Sequence, residues 1–168
     1  FGAKGVVVHG GSVGEGGDIN TGYDNWKKAL EHVEDTGMKV LVENTAGGKN
    51  SVARYMDSIE RLWEVIGHLN VGLCLDTCHT WAGGIPTIDA VKGFKKLVKK
   101  IDLIHFNDSK DGFESSRDRH ENLGKGKIPK EELEYVIKNA KTDIIVETPN
   151  GPDAQKKDIA WIKRRLNK

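Results

Sequence analysis

Val40-Leu41-Val42-Glu43, Leu73-Cys74-Leu75-Asp76, Leu103-Ile104-His105 and Ile144-Ile145-Val146-Glu147 each carry a short apolar run into one side chain of the metal-binding type. Val6-Val7-Val8-His9 has the same form, and the five termini fall 34, 33, 29 and 42 residues apart. That spacing suits one strand, one helix and their connections. Parallel strands joined by crossover helices deliver their C-terminal ends to one face, where α/β proteins gather reactive side chains.

The intervening segments have helical spacing. Asp24 to Thr36 opens on a capping-type residue, carries Trp26, Ala29, Leu30 and Val33 on one stripe, and stops at Gly37. Ser51 to Gly67 follows, with Tyr55, Ile59, Leu62, Trp63 and Ile66 on its buried face, and then Asp89 to Lys100, with Val91, Phe94, Leu97 and Val98. Pro129 to Asn139 begins with proline where a helix tolerates it, and Asp153 to Arg165 is the last helix. Two connections stand out: glycine-rich Gly10 to Gly22, and Asn107 to Lys127, which is long, charged and aperiodic. Both follow a strand, which puts them over the active face.

Composition bounds the possibilities. The 168 residues are 37% hydrophobic and 30% charged, as expected of one globular domain. A formal charge of +1 argues against a broadly basic nucleic-acid coat, so any attraction to phosphate is local. No apolar stretch suits a bilayer, and two cysteines, Cys74 and Cys78, are too few for a disulfide scaffold. A reducing interior, cytoplasmic in a prokaryote, is the expectation.

Five units fall short of a closed eight-stranded barrel, which takes about 250 residues. An arc of five parallel strands leaves two unpaired edges, a condition proteins usually avoid. The reading is therefore a single partial TIM-barrel-type domain over residues 1–168, completed by a missing N-terminal segment or a second chain.

Side chains alternate along a strand, so Glu43 shares its direction with Leu41, His105 with Leu103 and Glu147 with Ile145, crowning an apolar plug. Carboxylates crowded there repel one another and call for cations, and mixed imidazole and carboxylate donors favour zinc or manganese over magnesium or calcium. In Asp76-Thr77-Cys78-His79 the histidine can turn toward a second ion, and in Asp118-Arg119-His120 an extended backbone puts both donors on one side. His79, Asp118 and His120 thus form a separate three-ligand candidate with an open position.

The runs LCLDTCHTWAGG (73–84), IHFNDSKDGFESSRDRHENLGKGKI (104–128), VETPNG (146–151) and VENTAG (42–47) closely resemble the zinc-dependent AP endonucleases of the endonuclease IV family. The likeness runs from His9 onward. It implies a (β/α)8 barrel, here strands four to eight, that cuts DNA 5′ to an abasic site with three zinc ions. By that resemblance Glu43 bridges two metals; Asp76, His105 and Glu147 complete the second; His79, Asp118 and His120 hold the third; and His9 binds the first. Glu147 orients the attacking water. The family's other ligand to the first ion, a histidine on an earlier strand, has no counterpart here. His9-Gly10-Gly11 also stands where the family has His-Pro-Gly.

Each of these residues has a plainer reading, because a lone strand-end acid or histidine more often caps or hydrogen-bonds than ligates; seven at successive strand ends reverse that. His32 and His68 read as structural, Cys74 as core and Trp81 as either a stacking surface or a lid. Arg117, Arg119, Lys125 and Lys127 in the long loop are candidate phosphate contacts, and Gly47-Gly48, Gly124 and Gly126 either admit DNA backbone or simply turn the chain. A sugar isomerase or epimerase using one metal accounts for Glu43, Asp76, His105 and Glu147 but not for Asp118 and His120. A zinc-binding module without catalysis is the third reading.

Overall fold

Residues 2–166 are described by a computed structural model with seven strands: β1 (Gly5–His9), β2 (Lys39–Glu43), β3 (Val71–Asp76), β4 (Leu103–His105), β5 (Asp108–Ser109), β6 (His120–Glu121) and β7 (Asp143–Ile145). Five of them form one parallel sheet in the order β1-β2-β3-β4-β7, and β5 pairs antiparallel with β6 inside the connection after β4. The sheet is the TIM-barrel type that the strand-helix alternation predicts, with β1 and β7 as its edges.

The helices are α1 (Ile19–Val33), α2 (Met56–Ile66), α3 (Thr77–Gly83), α4 (Thr87–Val98), α5 (Lys130–Asn139) and α6 (Gly151–Leu166). Val42, Leu73, Leu75 and Ile104 leave one face of the sheet and are at most 2% exposed in a core that includes Leu30, Ile59, Leu62, Phe94, Leu133 and Ile162 of the helices. Burying each such side chain contributes about 1.5–3 kcal/mol. The core therefore lies between sheet and helices, and it fixes which face of every strand looks outward.

The other face is less covered than the sequence suggests. Leu41 is buried and Leu103 half-buried, but Ile145 is 48% exposed. The expected apolar plug is partial because no strand of the described residues crosses over from beyond β7. On the helix-facing side, Val6 and Val8 of edge strand β1 are also exposed. No helix among the described residues is long and apolar enough to cross a membrane.

Several helix boundaries differ from the sequence reading. α1 starts at Ile19, five residues before Asp24, because Asp18 is the cap: its Oδ1 accepts the Asn20 N–H at 3.0 Å. Residues 34–36 continue as a 3-10 turn to Gly37. α2 starts at Met56 rather than Ser51, since the backbone of residues 51–53 is engaged elsewhere: Ser51 bridges Ser12, Val52 N–H donates to Gly11 O, and Thr45 N–H donates to Ala53 O. Tyr55 is consequently exposed rather than buried. α4 runs from Thr87, directly after Pro86, and ends at Val98. Helix α3 has no counterpart in the sequence reading.

The long connection after β4 is ordered by one carboxylate. Asp108 is fully buried, and its two oxygens accept the backbone N–H groups of Ser109, Gly124, Gly126 and Ile128 at 2.8–3.1 Å. Burial pushes its pKa up while those four donors pull it down. A Cβ on Gly126 would sit 2.3 Å from Asp108 Oδ1, so glycine here lets backbone close on a carboxylate rather than on DNA. Trp81 fastens the other end of the loop, donating from Nε1 to Asp111 O at 3.2 Å and meeting Phe113 edge-on at 5.0 Å. It acts as a lid, with its ring engaged by the protein itself.

Asp108→Asn would turn an amide NH2 toward backbone donors. It should lower stability by about 3 kcal/mol in chemical denaturation and open residues 110–127 to limited proteolysis at native pH. Unchanged stability and protection would contradict the anchoring role.

Candidate metal centre

Register places the donors. His9 stands opposite Glu43, Asp76 opposite His105, Glu43 opposite Cys74, and His105 opposite Ile145. Asp76 and Glu147 therefore lie two residues beyond the partners of Glu43 and His105. Every step across the sheet is even, and an even step keeps side chains on one face. At the C-terminal end Glu43, Asp76, His105 and Glu147 bring one donor atom each within 4.8 Å of one another.

Glu43 sits at the centre and is 3% exposed. Its Oε1 is 3.0 Å from His105 Nδ1 and 3.4 Å from His79 Nδ1, and its Oε2 is 3.5 Å from His9 Nε2. The carboxylate thus faces two groups of donors, the geometry a bridging ligand needs. Burial resists ionisation of Glu43, but hydrogen bonds from His105 and His79 outweigh it and hold the pKa down at about 2. His105 Nδ1 also lies 3.2 Å from Glu147 Oε2, and the His105 pKa is raised because Glu43 and Glu147 overcome its desolvation.

Asp76 ends β3 and caps α3, its Oδ1 accepting the His79 N–H at 2.7 Å. The cap aims His79 into the second group of donors. His79 Nδ1 meets Asn44 O at 2.9 Å and His120 Nδ1 meets Glu147 O at 3.0 Å, contacts in which the ring nitrogen must be the donor. Those bonds leave Nε2 of both rings as bare lone pairs. The two nitrogens lie 3.0 and 3.1 Å from the same oxygen, Asp118 Oδ1. The distances suit hydrogen bonds, but the directions do not, and both buried Nε2 atoms lack a hydrogen-bond partner.

Two lone pairs and a carboxylate oxygen converging on one point repel each other unless a positive charge sits among them. Protons can serve: burial disfavours charge on His79 and His120, yet Asp76, Asp118 and Glu43 raise His79 to about 12, and Asp118 and Asp76 raise His120 to about 9. Hydrogen-bonding distance to His120 and His79 holds Asp118 far below the usual carboxylate range. The same three donors could also hold a metal ion, since backbone carbonyls already fix both rings from behind.

His9 completes a third grouping with Glu43 and His79, but its side chain is 60% exposed on the edge strand. Gly10 follows it with its N–H donated to Glu43 O and its O accepting from Trp26 Nε1. A Cβ at Gly10 would lie 2.2 Å from Ala53 Cβ, so the proline found there in the resembled family has no room in this packing. A cleft of about 310 Å3 opens beside the cluster, lined by His9, Ser12, Gly47, His79, Ser116 and Asp118. Gly47 packs against Ser116, where a Cβ would be 2.7 Å from Ser116 O.

The remaining sequence candidates divide. Cys74 and Cys78 are free and buried, with burial pushing both thiols up, Cys78 to about 12; each nonetheless brings sulfur near the donor groups. Arg119 is held by Asp111 through Nε and Nη2, and Arg117 lies 3.7 Å from the same acid. Lys125 lines a hollow against α6, and Lys127 is exposed. His32 and His68 are exposed and take no part. Two buried residues beside the ligands, Asn44 and Asn107, were missed, since asparagine after a strand reads as ordinary turn chemistry.

Comparison with known proteins agrees with this geometry. The AP endonuclease 2 family model, described as a xylose isomerase-like TIM barrel, matches residues 1–165. Probable endonuclease 4 of Mycobacterium tuberculosis is 48% identical over 165 residues, 98% of this chain and 64% of that protein. The Mycobacterium ulcerans protein of the same name is 45% identical, over 99% of this chain and 65% of its own length. The crystal structure of endonuclease IV from Thermus thermophilus superposes with a TM-score of 0.78 at 29% identity, covering 99% of this chain and 62% of that one. A D-tagatose 3-epimerase-like protein gives 0.73 at 20% identity over 98% and 62%, a likeness of fold alone. The chain thus spans under two thirds of the length of these relatives. On the family match, the sequence identity and the shared fold together, the chain belongs to the AP endonuclease 2 family of xylose isomerase-like TIM barrels.

Proposed function

We propose that this chain carries the metal-binding half of a DNA-repair endonuclease that hydrolyses the phosphodiester 5′ to abasic sites in double-stranded DNA. The observation that carries the reading is the convergence of His79 and His120 Nε2 on Asp118 Oδ1. A single-metal sugar isomerase needs only the group of Glu43, Asp76, His105 and Glu147 and gives that second convergence no task. The names of the similar proteins, endonuclease 4 and endonuclease IV, support the nuclease.

In this reading Glu43, Asp76, His105 and Glu147 hold one zinc ion, His79, Asp118 and His120 a second, and His9 with Glu43 a third, with manganese as a substitute. Bound zinc lowers the pKa of water, polarises a phosphate and stabilises a leaving oxygen. The chain's own groups do the positioning. Glu147 projects at the mouth with its carboxylate 42% exposed and 3.2 Å from His105, placed to orient the attacking water. Arg117, Arg119, Lys125 and Lys127, all in the connection after β4, would attract the phosphate backbone, which makes association salt-sensitive. The cytoplasm of a prokaryotic cell suits such an activity.

The deciding experiment incubates zinc-loaded protein with a duplex bearing one abasic site. Cleavage 5′ to the site, abolished by chelator, and about three metals per molecule by elemental analysis are the expected results. One metal and no nicking would favour the isomerase reading. Glu147→Gln should cut turnover at least a hundredfold, on the order expected of a lost acid–base group, while circular dichroism stays that of the parent. Substantial residual cleavage would remove Glu147 from its role.

The metal-free chain should also show a defined pH response. His79 and His120 have raised pKa values, so their contribution is complete below about 6.5, their unfolded value, and fades as pH rises through about 9 for His120. Glu43 is lowered, so its contribution is present above 4.5 and lost as pH falls through about 2. Zinc must displace the ring protons. Thermal melts should therefore show a larger zinc-induced rise at pH 8 than at pH 6, and the reverse order would contradict the assignment.

A further inference from the structure

Two buried carboxamides flank Asp76, and they act on different parts of it. Asn44 serves the backbone: its Oδ1 accepts the Asp76 N–H at 2.9 Å and its Nδ2 donates to Asp76 O at 3.1 Å. That pair of bonds extends the ladder between β2 and β3 beyond its last register pair. Asn107 serves the head group. Its Nδ2 donates to Asp76 Oδ2 at 2.7 Å, and its Oδ1 accepts the Glu147 N–H at 2.9 Å.

The orientation of the Asn107 amide is decided by its surroundings. A backbone N–H on one side requires the oxygen there, and a carboxylate on the other requires the NH2. The side chain is fully buried, and its backbone is clamped to Thr77, whose Oγ1 accepts Asn107 N–H at 2.8 Å and donates to Asn107 O at 2.6 Å. One immobile amide thus touches the carboxylate of one donor and the backbone of another, at the ends of different strands.

We propose that Asn107 is a positioning residue that presets the Glu43, Asp76, His105 and Glu147 group. With His79 N–H on Oδ1 and Asn107 Nδ2 on Oδ2, each Asp76 oxygen receives one donor, so the carboxylate plane cannot rotate. The bond to Glu147 N–H sets how far the segment after β7 rises, and with it the reach of Glu147 Oε2 toward His105. Asn107 makes no hydrogen bond with His79, Asp118 or His120; it reaches that group only at second hand, through Asp76, which caps His79, and the Glu147 backbone, which holds His120. This inference rests on the metal-centre reading above.

The test uses cobalt(II) as the metal, titrated by visible absorption without DNA. In a His120→Ala chain, which lacks the His79, Asp118 and His120 group, adding Asn107→Ala should weaken cobalt binding about tenfold or more, as loss of an outer hydrogen-bond partner does. In a Glu147→Ala chain, which weakens the other group instead, the same change should cost clearly less affinity, because Asn107 reaches His79 and His120 only through Asp76 and the backbone at position 147. Asn107→Asp keeps the acceptor toward Glu147 and removes only the donor toward Asp76; it should reproduce the loss, and it carries the test if the alanine variant fails to fold by circular dichroism. Unchanged or tighter binding in a folded variant, or equal losses in both backgrounds, would overturn the positioning role. Absence of a cobalt band in the His120→Ala chain would instead overturn the metal reading itself.

Discussion

The centre depends on the parity of the strand register. Because successive side chains on a strand point to opposite faces, a one-residue slip of β3 against β2 would turn Asp76 into the helices and bring Leu75 to the mouth. Leu75 and Leu73 prevent it: they are buried against the helical layer with Val42 and Ile104, and the slip would turn both leucines out of that core. The same apolar burial that stabilises the fold therefore aims the carboxylates. Site and core occupy opposite faces of the same three inner strands, so a packing change on one face is a ligand displacement on the other.

Geometry alone would leave an unstable gathering. Four carboxylates, from Glu43, Asp76, Asp118 and Glu147, meet four imidazoles, from His9, His79, His105 and His120, within a few ångströms. The protein does not neutralise this with lysine or arginine; the nearby arginines are turned to Asp111 instead. Protons on the rings are the available compensation, and the pKa values of His79, His105 and His120 rise. Backbone carbonyls at Asn44 and Glu147 hold the rings so that both Nε2 atoms face Asp118, where neither has a well-directed hydrogen-bond partner.

How much of this the sequence discloses follows from what repeats in it. Apolar runs ending on Glu43, Asp76, His105 and Glu147 are read correctly because strand length and pleat period are stiff constraints. Helix starts are not. Asp18 and Asp24 are equally good caps on paper, and only the Asn20 contact distinguishes them. Helix α3 shows no amphipathic stripe because Thr77, Cys78, His79, Thr80 and Ala82 are all buried, so no periodicity betrays it. The loop after β4 looks irregular since its order comes from Asp108 binding backbone N–H groups up to 20 residues away, an interaction with no sequence period. Gly126 and Asn107 were opaque for the same reason: their partners are far along the chain.

Burial also grades the donors. Glu43, Asp76, His79 and His105 come from β2, β3, β4 and the start of α3, are at most 7% exposed, and are held by hydrogen bonds before any ligand arrives. His9, Asp118 and Glu147 are the most exposed of the set, and His9 and Glu147 lie at the two open edges. Where the sheet is flanked on both sides, the entropy of a side chain is already lost on folding; at the edges it is lost on binding. The inner donors are therefore fixed on folding, whereas His9 and Glu147 keep exposed side chains at the edges. Closing the sheet with further strands would act first on His9 and Glu147, the residues this fold leaves least fixed.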